Sequence, residues 1–418
     1  MTHVQNQADT SFYGLGIAPR ILDMLDRMKF TTPTPIQYKT IPPAIDGKDI
    51  IGVAQTGTGK TLAFAIPIIQ RLSQERGSAL ILVPTRELAI QVNEAFEKIV
   101  PLFGIKTAVI IGGASMDLQL KALRKNPRIL IATPGRLVDH MERRTVLLAL
   151  VNILVLDEAD RMLDMGFLPE IEKIIKFVPR TRQTMLFSAT IPKEIIKVAT
   201  AHMKLPIHVE IAPSGTTAEN IIQEVFIVKK SSKRKLLIRL LDSYHGSILI
   251  FSRTKMGAKY ITRDLQKTKY KAAEIHSNRS LAQRKEALNG FKSGKYKVLV
   301  ATDIAARGID VTGIELVINF DLPDDTENYV HRIGRTGRAG HKGRAISFAT
   351  PEQGKDVKSI ERLIKAVLPI VGHPEFPKGK FVEELKSHQS TKAQQQRPKK
   401  QNRYYGHKHR KPSHPKNS

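Results

Sequence analysis

Short apolar runs alternate with stretches of helical period from Asp49 to Met203, the runs falling at residues 49–54, 79–83, 107–111, 128–132, 152–156 and 184–187. Runs apolar at nearly every position suit strands covered on both faces, and their alternation with helices predicts a doubly wound parallel sheet. The run IAPSGTTAEN, between about Glu210 and Asn220, has Pro, Gly, Ser and Thr but no apolar cluster, and reads as a linker. Beyond it the pattern resumes, with runs at 222–228, 247–251, 272–275, 297–301, 315–319 and 344–348, and helical stretches near 232–243, 254–267, 280–292 and 354–368. Ahead of the first sheet stand a helical pattern, Ile21, Leu22, Leu25 and Met28, and the segment KFTTPTPIQ at 29–37, which Pro33 and Pro35 should keep extended. The expected architecture is α/β. A first domain covers 12–209, a linker 210–220 and a second domain 221–370, with a flexible N-terminus at 1–11 and a tail at 371–418.

The length of 418 residues agrees with more than one core, since domains average roughly 150 residues. Charge narrows the partner: 67 basic against 39 acidic residues leave +28, which favours a polyanion. An anionic membrane is the weaker choice, because runs such as Ala79 to Val83 have strand length and Met1 to Thr10 is polar, without a secretory signal. The absence of cysteine excludes disulfides, thiolate catalysis and cysteine zinc sites, and a cytoplasmic protein fits best. From Lys386 to Ser418 there are ten Lys or Arg and no acid, so this tail should be disordered and should meet a nucleic acid electrostatically, with Tyr404 and Tyr405 able to stack on unpaired bases.

The first candidate chemistry lies at AQTGTGKT, residues 54–61, between the run 49–53 and the apolar stretch Leu62 to Ile69. A strand feeding a helix through such a turn turns successive N–H groups of Thr56, Gly57, Thr58 and Gly59 into one concavity at a helix N-terminus, which suits a triphosphate. Lys60 can reach the β and γ phosphates and Thr61 can ligate magnesium. Ala54 stands where the usual pattern has glycine. At DEAD, 157–160, the run ending at Leu156 delivers two carboxylates to the same edge: Asp157 for the metal, and Glu158 to orient or deprotonate the attacking water. An acid cluster that merely starts a surface helix is the plainer reading, and only the upstream P-loop displaces it. Gln37 could donate to and accept from adenine, although a glutamine beside two prolines is more often a residue of a helix's first turn. In the second region HRIGRTGR, 331–338, sets three arginines and a histidine on a glycine-interrupted turn. Such a turn can stabilise transition-state charge from across a cleft or simply bind a nucleic-acid backbone.

KFTTPTPIQ, AQTGTGKT, PTRELA at 84–89, TPGR at 133–136, DEAD, SAT at 188–190, VLVATDIAARGID at 298–310 and HRIGRTGR occur in that order, and with them the chain resembles the DEAD-box ATP-dependent RNA helicases over about residues 12–370. The short flanks look most like the compact bacterial RhlE-like subgroup. The resemblance implies two tandem RecA-like domains, ATP and Mg2+ as cofactors, and a motor that closes on RNA and separates short duplexes. It implies Phe12 near adenine, Gln37 on the base, Asp310 on the ribose, Arg335 and Arg338 as fingers on the γ-phosphate, and His331 with Ser188 and Thr190 coupling hydrolysis to RNA. For RNA it implies Thr85, Arg86, Gly112, Gly113, Thr133 and Arg136 in the first domain, and Arg253, Thr302 and Arg307 in the second. Hydroxyls, backbone N–H groups and arginines hold phosphate and ribose without reading bases, so low sequence specificity is expected. Ribosome-assembly or RNA-decay proteins as partners and a monomeric motor complete the expectation.

Two positions depart from the family pattern. Leu281 occupies the glutamine position of Q-x-x-R, leaving Arg284 and, two residues off, Gln283; Lys29 replaces the glycine before Phe30. Three other activities remain open: an RNA clamp or chaperone, a DNA-directed helicase on the same two lobes, and a binding protein whose ATPase has decayed. Intact Lys60, Glu158, Arg335 and Arg338 argue against the last.

Overall fold

The computed structural model describes residues 11–382 except residues 56, 212–220, 307–310, 312 and 338–341. The first lobe holds strands β1 (Ile50–Val53), β2 (Ser78–Leu82), β3 (Thr107–Ile110), β4 (Ile129–Ala132), β5 (Val151–Asp157), β6 (Gln183–Ser188) and β7 (Ile207–Glu210). The second holds β8 (Ile221–Ile227), β9 (Ser247–Phe251), β10 (Ala272–Ile275), β11 (Val298–Ala301), β12 (Ile314–Asn319), β13 (Gly343–Ala349) and β14 (Ile370–Val371). Every pairing among them is parallel. The sheets run β3-β4-β2-β5-β6-β1-β7 and β10-β11-β9-β12-β13-β8-β14. Counted from each lobe's own first strand these are one order, so the second lobe repeats the first strand for strand.

Period-two alternation gives each sheet a core on both faces. Ile81, Ile153 and Val155 point into one core of the first lobe, while Leu80, Leu82, Leu154 and Leu156 point into the other. In the second lobe Leu249, Phe251 and Leu299 alternate in the same way with Ile248, Ile250 and Val298. Both faces are therefore dry, which is why these strands read as unbroken apolar runs.

Three expectations need correction. Pro35 does not hold KFTTPTPIQ extended throughout: it starts the helix Pro35–Ile45, where a missing N–H removes no bond, so Gln37 lies in a helical first turn. The first lobe continues through Ile211, whose N–H bonds Val53 O at 3.0 Å, so the linker expected at 210 starts later. The second lobe does not stop at 370. β14 pairs with β8 through Val225 and Phe226, and Phe381 is buried in the second core, so chain up to 382 belongs to the lobe rather than to the tail. The expected N-terminal flexibility, the linker's interior and the basic tail fall outside the described residues, apart from the edges just named.

Candidate functional site

β1 ends at Val53 and the helix Lys60–Gln74 begins after six intervening residues, so the P-loop turns at the carboxyl end of an interior strand. Gly59 caps that helix in the left-handed region at φ 91°, and a Cβ there would collide with the Gln37 amide, so only glycine fits. Ala54 has no positive φ and its methyl is buried in the first core, which explains why alanine is tolerated at that position. Gln37 Oε1 accepts from Thr34 N–H at 2.9 Å, and Gln37 Nε2 donates to Gly59 O at 3.0 Å. The residue expected to read adenine thus closes its own helix's capping box and braces the phosphate loop. Lys60 Nζ donates to Ala54 O at 2.7 Å, folded against the loop it serves, and Thr58 Oγ1 donates to Gln55 O at 2.7 Å. Thr61 follows Lys60 in the helix's first turn. Phe12 is buried among the first lobe's core residues.

Asp157 ends β5, and the chain turns sharply after it, because Glu158 takes the left-handed conformation at φ 52° before the helix Ala159–Asp164. Both acids are almost wholly buried. Burial pushes the Asp157 carboxyl up to about 7, against the pull of Lys60. Burial also acts on Glu158, but Arg161, Lys60 and Arg335 outweigh it and hold the carboxyl below its ordinary range. Arg161 is 1% exposed and binds Glu158 Oε2 at 3.0 Å, so Glu158 is an ionised, tethered carboxylate. That state suits orienting a water better than stripping it of a proton.

Sequence reasoning missed Asp160. Its Oδ2 accepts from Ala189 N–H at 3.1 Å, Thr190 N–H at 2.9 Å and Thr190 Oγ1 at 3.1 Å, while its own N–H donates to Ser188 Oγ at 3.2 Å. Ser188 and Thr190 are therefore joined to the acid segment through one carboxylate. The fourth letter of DEAD held no signal for this; only proximity of β5 and β6 creates it.

The second lobe brings the helix Glu327–Ile333 to the same place. Arg332 is structural: Nε and a terminal nitrogen grip Asp303 at 2.5 and 2.7 Å, and another donates to Asp321 O at 2.6 Å. Arg335 is 2% exposed, and its charge reaches Glu158 across the cleft. His331 and Arg335 share a small void with Arg161 of the first lobe. Thr56, Arg307, Asp310 and Arg338 lie outside the described residues.

The candidate RNA residues gather on neighbouring strand ends. Thr85 follows β2 and caps the helix Arg86–Glu97, its Oγ1 accepting from Leu88 N–H at 3.2 Å. Gly112 and Gly113 follow β3 with the Arg86 guanidinium against them, and Gly113 takes the left-handed region at φ 73°, which disfavours any side chain there. Thr133 follows β4 and caps the next helix, from which Arg136 donates to Ala114 O at 3.1 Å. In the second lobe Arg253 follows β9 and pairs with Asp324 at 3.1 Å, and Thr302 follows β11. β9 and β11 hold the sheet positions of β2 and β4, so the two lobes offer the same edge twice.

A second pair that sequence reasoning only half saw joins the lobes directly. Arg284 meets Glu87 at 2.7 Å with both side chains buried. Burial raises the Glu87 carboxyl, opposed by Arg284. Gln283 takes no part, because it is exposed and closes the capping box of its own helix with Ser280.

The DEAD/DEAH box helicase family model matches residues 34–198, and the model of the helicase conserved C-terminal domain matches residues 232–340. The chain is similar to a DEAD-box ATP-dependent RNA helicase, CshA, of Bacillus cereus, 45% identical over 359 residues that span 85% of this chain and 68% of that protein. Among solved structures, Dbp5 of S. cerevisiae bound to RNA and ADP BeF3 superposes with TM-score 0.78 at 29% identity, over 92% of this chain and 99% of that one. Mss116p bound to ssRNA and AMP-PNP superposes with TM-score 0.78 at 30% identity, over 89% and 79%. Superposition across both lobes requires a shared lobe arrangement as well as a shared fold. Two tandem RecA-like sheets, matched in order along the sequence and in space, leave one family: the chain belongs to the DEAD-box ATP-dependent RNA helicases.

Proposed function

We propose that this chain hydrolyses ATP when RNA draws its two lobes together, and that closure on one strand separates short RNA duplexes with little regard to base sequence. The observation that carries this reading is Arg335 of the second lobe acting electrostatically on Glu158 of the first. A nucleotide held by the P-loop would then meet its full set of charges only with the lobes in contact. Lys60, released from Ala54 O, binds the β and γ phosphates; Glu158, tethered by Arg161, orients a water in line with the γ-phosphorus; Arg335 stabilises the charge that develops there, with Arg338 proposed beside it. Gln37 and Phe12 are proposed to hold adenine and Asp310 the ribose, which for Gln37 requires at least one of its present bonds to be exchanged.

The residues fit a magnesium ion. Thr61 and Asp157 offer hard oxygen donors, and Asp157 is a buried carboxylate whose charge Lys60 alone does not compensate. When bound, the ion would neutralise phosphate charge. The strand-end hydroxyls, amides and arginines named above would hold ribose and phosphate, and Asp160 would pass lobe closure to Ser188 and Thr190 through its four bonds. We extend the proposal to a monomeric cytoplasmic motor beside ribosome-assembly or RNA-decay proteins; among the described residues no helix is long and apolar enough to cross a membrane.

Displacement of a labelled strand from a short RNA duplex, with ATP and with a non-hydrolysable analogue, tests the reading. Separation of RNA but not of the matching DNA duplex supports it. Equal separation of DNA favours the DNA-directed alternative, and RNA binding without ATP-dependent displacement favours the clamp.

A further inference from the structure

The helix Leu281–Lys292 of the second lobe lies against the helix Arg86–Glu97 of the first, and their contact is chemically unbalanced. Arg284 reaches only one oxygen of Glu87, Oε2 at 2.7 Å. Glu87 Oε1 and Arg284 Nε, both buried, have no hydrogen-bond partner. One turn before Arg284, on the same helix face, Leu281 packs against the first lobe's core instead of offering a donor. Glu87, Ile90, Gln91, Leu281 and Leu288 are among the residues that border one cavity of about 40 Å³ between the two helices, and the apolar Leu281 side chain offers Glu87 Oε1 no donor there.

We infer that Leu281 is a positioning residue for lobe closure, which it holds by apolar contact across the cleft in place of a hydrogen bond to Glu87. This rests on the RNA-driven closure proposed above and adds to it. A contact made only with the lobes together stabilises that state alone, so it lowers the RNA concentration needed for closure without entering the chemistry. Leu281 is not among the residues proposed above to hold nucleotide or RNA. Removing the half-buried side chain beyond Cβ should raise the RNA concentration for half-maximal ATP turnover by about tenfold, because burial of that much apolar surface is worth roughly one decade in an equilibrium constant.

The test uses the full chain and three variants, Leu281→Ala, Leu281→Met and Leu281→Gln, each checked for an unchanged melting temperature. Steady-state ATP turnover is titrated with single-stranded RNA. Leu281→Ala should raise the half-maximal RNA concentration about tenfold at unchanged saturating kcat. Leu281→Met, which keeps the apolar contact, should stay within about twofold of the parent. Leu281→Gln should recover much of the Ala loss by donating to Glu87 Oε1. A second readout needs no RNA: the chain has no cysteine, so one introduced in each lobe carries a dye pair whose distance reports closure with a non-hydrolysable ATP analogue. The closed fraction should fall in Leu281→Ala and return in Leu281→Met. Parental RNA dependence and closed fraction in Leu281→Ala would overturn the inference, as would Met or Gln behaving like Ala. If RNA fails to stimulate the parent at all, RNA-driven closure fails instead, and the dye pair still reports on Leu281.

Discussion

At the scale of single residues, the two adjacent acids have opposite electrostatic fates. Asp157, with Lys60 as its main counter-charge, binds a proton up to about pH 7, whereas Glu158 remains a carboxylate because Arg161, Lys60 and Arg335 surround it. The sign of the Asp157 effect follows directly. Between about pH 4, where an unfolded aspartate ionises, and pH 7 the native state holds a proton that the unfolded chain has lost, so this group makes stability fall as pH rises. Urea unfolding of the nucleotide-free, chelator-treated protein should show that fall, and Asp157→Asn should flatten it; an identical pH slope in both proteins would count against the buried, poorly compensated carboxyl. The functional roles separate as well. Lys60→Ala should abolish turnover with weakened ATP binding, whereas Glu158→Gln should keep ATP affinity and accumulate a long-lived complex with RNA, both read by nucleotide binding and RNA dissociation rate. Equal loss of nucleotide affinity in the two would erase the division of labour.

At the scale of elements, most of the design was legible because both sheets are dry on both faces. β9 and β10 match their apolar runs at 247–251 and 272–275, and most other strands shift by only a residue or two. β7 and β14 were not read: three of the four residues of β7 are exposed, and β14 has two residues, so neither forms an apolar run. The site divides in the same way. The P-loop and the two acids stand on strand ends, the arginine turn closes a helix, and all announce themselves by residue type, but Asp160 and Glu87 act through partners 28 to 30 and 197 residues away, respectively. Lys29 illustrates a legible departure with a local consequence. It follows the helix Pro19–Arg27 at φ 61°, with its N–H on Asp26 O and that of Phe30 on Leu25 O, the bonds of a helix terminus that favours glycine. Lys29→Gly should therefore stabilise the protein by about 0.5–1 kcal/mol, the left-handed strain relieved less the entropy that glycine adds to the unfolded chain. Denaturant unfolding measures it, and a destabilised variant would contradict the assignment.

At the scale of the whole molecule, one sheet topology is used twice, and only the first copy holds a P-loop. The second copy brings the charge of Arg335 to the first copy's site and repeats its strand-end edge, along which the proposed RNA path would cross both lobes. The excess of +28 is spread beyond that edge, with ten basic residues from Lys386 onward. Truncation after residue 385 should weaken affinity for single-stranded RNA and flatten its salt dependence, by up to several units of slope at roughly 0.7 per phosphate contact, while saturating RNA still drives near-full turnover. An unchanged slope would show that those charges stay off the RNA, and collapsed turnover would make the segment part of the motor. The claim on which everything else depends is that the second lobe completes the first lobe's site when RNA is bound. It is tested most directly by ATP turnover in the parent and in Arg335→Ala, with and without saturating single-stranded RNA, alongside ATP affinity. RNA should strongly accelerate the parent, and Arg335→Ala should bind ATP nearly as tightly yet hydrolyse it about 10³-fold more slowly with RNA present, as for a finger acting on developing charge. Parental turnover in the variant, or a loss confined to ATP affinity, would contradict the account.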